Sequence, residues 1–193
     1  MKPIQINEVL ALADYERIRD VIRPMIIREK ARRRLAVGSH LTLLFENRQT
    51  VWYQVQEMIR TEKISTAAAV AHELETYNEL IPHAGELSAT MLVEYADARE
   101  RDAALGRLVG IERHMKIVVG ERRFDLSFDE RQMSAERVSA VQFVRFALDG
   151  ISAETFRALA SDGRISIEVD HPSLAASAKI TGELAQALAE DLA

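Results

Sequence analysis

The hydrophobic period of this chain changes from about 3.6 residues to 2 at Leu35. Upstream of that point Tyr15, Ile18, Ile22, Met25 and Ile26 share one stripe at helical spacing, so a helix is expected over about 8–34. Pro24 lies inside it. A proline there removes a helical hydrogen bond and crowds the preceding turn. A kink, or two helices meeting near Arg23, is therefore expected. Downstream, Leu35, Val37, Leu41, Leu43 and Phe45 alternate with Gly38, His40, Thr42 and Glu46, the pattern of a half-buried strand over 35–46.

Two further helices follow. The first buries Val51, Val55, Met58 and Ile59, with Trp52 at the edge of its stripe. Ser65 or Thr66 can cap the second, whose stripe is Ala67, Val70, Leu74, Tyr77 and Ile81. Pro82 and Gly85 end it. The second half is mostly strands, over 87–95, 115–119, 124–128, 138–148 and 165–169. Gly120-Glu121 fits a two-residue hairpin turn. Short helices are expected over 97–108 and 153–160, and Thr181 can cap a C-terminal one. Hairpin-like neighbours outnumber strand–helix–strand alternations. The expected fold is α+β, with a mixed or mainly antiparallel sheet of about six strands covered by helices. A chain of 193 residues fits a single domain over 1–193, with the kinked first helix packing as an arm.

The chain has no cysteine, which excludes cysteine-ligated clusters, thiolate zinc sites, thiol catalysis and disulfides. A formal net charge of -5 disfavours a nucleic-acid role. The charge is uneven. Arg17 to Arg34 carries eight cations against two anions, and Glu62 to Glu100 carries eight acids against two cations. The two segments can face each other within the fold or across a homodimer. No apolar run nears a membrane span, and the first eight residues lack a signal peptide's apolar core. The cytoplasm is the expected compartment.

Glycine-rich phosphate loops, nucleophile elbows and His-Glu-x-x-His pairs are missing. Three clusters remain. His72, Glu75 and Glu79 share a helix face and are candidate ligands for a divalent metal; the bland alternative is a solvated face. Gln54, Gln56, Glu57 and Arg60 combine amides with a guanidinium that can hold a carboxylate or phosphate, and Glu57 and Arg60 are catalytic candidates. Asp170-His171-Pro172 follows a strand, so Asp170 and His171 are candidates for acid–base work, or for a turn that closes the strand. The run Arg28 to Arg34 lacks interleaved aromatics and reads best as a helix C-terminus or an intersubunit surface.

Several blocks together resemble one bacterial family. They are Phe45-Glu46-Asn47, Tyr53 to Met58 with Arg60 and Glu62, His72 to Glu75, Tyr77 to Leu80, Gly85-Glu86-Leu87, Glu94, Ser139 to Phe143 and Asp170-His171-Pro172. The chain resembles the domain-of-unknown-function family numbered 3501 over nearly its full length. That resemblance assigns no cofactor and no residue role. It implies a redox or peroxide-defence setting, because members are encoded near rubrerythrin-like proteins and an iron–sulfur oxidoreductase. The leading expectation is a non-catalytic accessory or binding protein with a redox partner. The alternative is a metal-binding protein or metal-dependent enzyme with a Glu/His site.

Overall fold

A computed structural model describes residues 1–129 and 136–193. Among these residues six α-helices accompany two antiparallel sheets, an α+β fold. Helix α1 spans Leu12–Arg32, followed by strands β1 (Arg34–Val37) and β2 (Leu41–Phe45). Helices α2 (Arg48–Thr61) and α3 (Ala67–Asn78) lead to β3 (Glu86–Val93) and α4 (Ala98–Arg107). Then come β4 (Met115–Val119), β5 (Arg122–Asp125), β6 (Ser127–Phe128) and β7 (Val141–Ala147). Helix α5 (Ala153–Ser161), β8 (Ile165–His171), β9 (Leu174–Lys179) and α6 (Gly182–Asp191) complete the described elements.

The strand order is β1-β2-β3-β7-β6 in one sheet and β5-β4-β8-β9 in the other. The chain passes between sheets at Leu126, because β5 pairs with β4 while β6 pairs with β7. The main core draws buried side chains from both sheets and from α4, α5 and α6. A smaller apolar cluster joins Ile4 to α2, α3, Leu80 and Ile81. The Asn78 carboxamide pins the leading segment to α3, accepting from the Ile4 N–H at 2.8 Å and donating to its carbonyl at 3.0 Å.

The antiparallel expectation holds, but the described strands number nine in two sheets, not about six in one. Residues 35–46 form two strands instead of one. Gly38, at φ 67°, turns the chain so that Val37 pairs with Leu41. The alternating pattern runs through that turn, so periodicity alone hid it. Strand β9 went unread because Leu174–Lys179 is mostly alanine and serine and lacks β-branched residues. The Gly120-Glu121 hairpin is present, with Val119 opposite Arg122.

The first helix is also shorter than expected, and it does not divide into two helices at Pro24. The proline side chain faces solvent, and packing on both sides of it holds the helix. Tyr15 is buried on the N-terminal side and Ile26 on the C-terminal side. Of the rest of the stripe, Ile22 is half-buried and Ile18 and Met25 are exposed, as are Val21 and Ile27 outside it.

Candidate functional site

Each cluster singled out by sequence has a definite place. Glu57, on α2, accepts hydrogen bonds from three side chains. The Arg19 guanidinium holds it through two nitrogens at 2.8 and 3.0 Å, the Tyr15 hydroxyl lies at 2.7 Å, and Arg60 adds bonds at 3.2 and 3.3 Å. The Arg19 bonds dominate, so the Glu57 carboxyl is pulled down to about 2. Burial and the Glu57 charge push the Tyr15 phenol well above its ordinary range. A carboxylate this acidic and this occupied bolts α1 to α2 and has little capacity as a base near neutrality. Gln56 beside it is fully buried, and its amide has no hydrogen-bond partner among the described residues.

His171 ends β8, and the two-residue turn Pro172-Ser173 returns the chain to Leu174. Its Nδ1 accepts from the Ser173 N–H at 3.1 Å, and its Nε2 lies 3.2 Å from the Val109 carbonyl. Those partners assign the neutral ring with the proton on Nε2. The His171 ring sits edge-on to His114 at 5.1 Å, and His114 Nδ1 lies 3.0 Å from an Asp170 carboxylate oxygen. The fold thus brings together His114 and Asp170, 56 residues apart in sequence.

His72 and Glu75 lie exposed on α3, and Glu79 lies exposed just past its C-terminal end. Among the described residues no group of three or more His, Asp or Glu side chains is placed to hold one metal ion.

The basic segment is partly drawn into the fold: Arg17, Arg23, Arg28 and Arg34 stay exposed, and its other cations are half-buried or buried. Arg33 is fully buried, forms a two-nitrogen pair with Asp191 of α6, and also donates to Glu29. Glu29 takes further bonds from Arg32 and from Asn47. Arg17 pairs with Asp14 and Arg19 with Glu57. Among the described residues no ion pair joins this segment to the acidic stretch 62–100, so the expected pairing within the fold is not found.

Two large cavities are present. One, of about 970 Å³, runs beside α1 and is lined by Ile22, Met25, Ile26, Arg28 and Trp52 among others. The other, of about 700 Å³, opens between the end of α3 and strands β3, β6 and β7. Neither is lined by Glu57, Arg60, His72, Glu75, Asp170 or His171. Glu79 lines the second, together with Glu46, Tyr77, Leu80 and Phe143. Three of the blocks that carry the family resemblance thus meet around one cavity. In the sequence Glu46 stands as an outward strand residue and as part of a family block, with no site role. The signal that could have found it is the cap that follows, where Asn47 and Thr50 exchange side-chain and backbone hydrogen bonds and end β2 directly over Glu46.

An α+β protein of two antiparallel sheets, with ion-pair clasps between its helices and a carboxylate-floored cavity, is the class defined by this geometry. Among the described residues no helix is long and apolar enough to cross a membrane. The chain belongs to the family described as protein of unknown function DUF3501, whose model matches residues 3–192. It is similar to the crystal structure of a novel protein of unknown function from Burkholderia pseudomallei K96243, at 36% identity and a TM-score of 0.88, with 100% of both chains covered. A search of curated proteins finds no match.

Proposed function

We propose that this chain is a non-catalytic binding protein that works as a homodimer through the exposed face of α1. The observation that carries the reading is a heptad seam on that helix. Asp14, Ile18, Val21, Met25, Arg28 and Arg32 recur at spacings of four and three, which keeps them on one side. The apolar centre is wet: Val21 is 69% exposed, Met25 56% and Ile18 39%. Large apolar side chains clustered this way mark a contact surface.

The seam is complementary to itself. An antiparallel copy that sets Val21 against Met25 brings Asp14 opposite Arg32, within a turn of Arg28. An acid then meets a base at each end, as the two-fold symmetry of a dimer requires. The groove beside the seam continues its apolar surface through Ile22, Ile26 and Trp52. The non-catalytic part of the reading draws on Glu57 and His171, whose polar atoms are all engaged within the fold. The dimer serves as an accessory in a redox or peroxide-defence setting, which is the setting implied by the family resemblance.

Light scattering on the purified chain at micromolar concentration tests the dimer. The expected mass is twice 21.7 kDa. Val21→Glu with Met25→Glu should give a monomer with unchanged circular dichroism. Asp14→Arg should weaken the dimer by setting a like charge against Arg32. A monomeric parent chain overturns the reading. A deletion strain no more sensitive to hydrogen peroxide than its parent overturns the setting alone. Metal content, measured by mass spectrometry on untagged protein purified without air, addresses His72, Glu75 and Glu79. A stoichiometric transition metal replaces the non-catalytic reading with the metal-dependent one.

A further inference from the structure

We propose that the cavity between α3 and strands β3, β6 and β7 binds a small organic cation, an amine or guanidinium carried on an apolar body. The inference stands apart from the dimer. It starts from Glu46, which lies just past β2 and is only 2% exposed, yet contributes to the cavity lining. Its carboxylate accepts two hydroxyls, Thr50 at 2.5 Å and Thr90 at 2.7 Å. Among the described residues no arginine, lysine or histidine forms an ion pair with it.

A carboxylate has about four lone-pair directions, and the hydroxyls fill two. Burying such a group without a counter-charge is costly. A cation entering the cavity would supply that charge and take the remaining directions. Among the described residues the one cation in the lining, Arg145, is engaged elsewhere: it donates to Glu86 at 3.1 Å and to the Glu79 carbonyl. An anionic ligand would have to draw Arg145 away from Glu86 and would still meet Glu46.

The walls specify the body of the ligand. Tyr77, Leu80, Phe128 and Phe143 present apolar and aromatic surface, and aromatic faces attract cations. A volume of about 700 Å³ lies within the range of small-molecule sites and admits a ring-bearing amine. Glu46 and the walls come from four separate parts of the chain, so the site exists only in the folded protein.

Calorimetric titration of the intact chain tests this with three probes of one shape: phenethylammonium chloride, phenethyl alcohol and 3-phenylpropionate. The ammonium is expected to bind one-to-one, at least about tenfold tighter than the alcohol, and the carboxylate not to bind. Glu46→Gln should reduce the ammonium to the affinity of the alcohol. That variant can fail to fold, since an amide N–H₂ then meets a threonine hydroxyl. The unaltered protein therefore carries a second readout. Amide NMR shifts on adding phenethylammonium should centre on Glu46, Ser88, Ala89 and Val144. Equal affinity for the alcohol, shifts centred elsewhere, or no saturation by about 10 mM would each overturn the assignment.

Discussion

Glu57 shows how one side chain can look reactive in sequence and be structural in place. Two arginines and a phenol converge on it, each arginine through two nitrogens and Arg19 at the shorter distances. Its folded pKa, about 2, lies below the ordinary value of 4.5. The stability it contributes is therefore full above about pH 4.5 and is lost as pH falls towards 2. The carboxylate is partly wet, so the contribution is about 1–2 kcal/mol after solvent screening. Chemical denaturation at pH 7 and pH 3 should show a loss of that order in the parent chain. Glu57→Gln should be less stable at pH 7 and show a smaller loss between the two pH values. An unchanged difference between the pH values would remove Glu57 from this role.

Among the elements, α1 is the most unusual. Its interior proline has no N–H to offer the carbonyl four residues back, a defect that costs about 3 kcal/mol in an isolated helix. Contacts on either side compensate, through Tyr15 and Arg19 before the proline and Ile26, Glu29 and Arg33 after it. Pro24→Ala should raise the melting temperature without altering the circular dichroism; a fall would mean that the proline shapes a contact the straight helix cannot make. This element also marks what sequence could and could not show. Helical period located α1, α2 and α3, and the cap of α3 was narrowed to Ser65 or Thr66, because a hydroxyl there meets free N–H groups locally; Thr66 is the cap. Burial was not visible. The same stripe holds buried Tyr15 and exposed Met25, and only the path of α2 decides between them. Glu46 was hidden for a similar reason, since its cavity is built by residues from Thr76 to Arg145 that no local pattern connects.

At the scale of the molecule, two sheets share one core because the chain changes sheets at Leu126 and because α6 is tied back to α1. Arg33 and Asp191 are both buried and bonded through two nitrogens and two oxygens. Removing Asp191 leaves the buried Arg33 with Glu29 as its remaining carboxylate, at a cost of up to about 3–5 kcal/mol. Asp191→Ala should lower stability by that amount in urea titration, and Arg33→Met with Asp191→Leu should recover most of it. A loss below about 1 kcal/mol would show that solvent reaches the pair.

That clasp also has a consequence in time. Arg33 and Asp191 are 158 residues apart. At about 5–20 residues per second of synthesis, the interval between them is roughly 8–30 s. Throughout it the nascent chain carries α1 with its seam exposed and with Arg33 lacking its Asp191 partner. The final docking of α1 therefore waits for the synthesis of α6, and during that interval a second nascent chain nearby competes for the same helix.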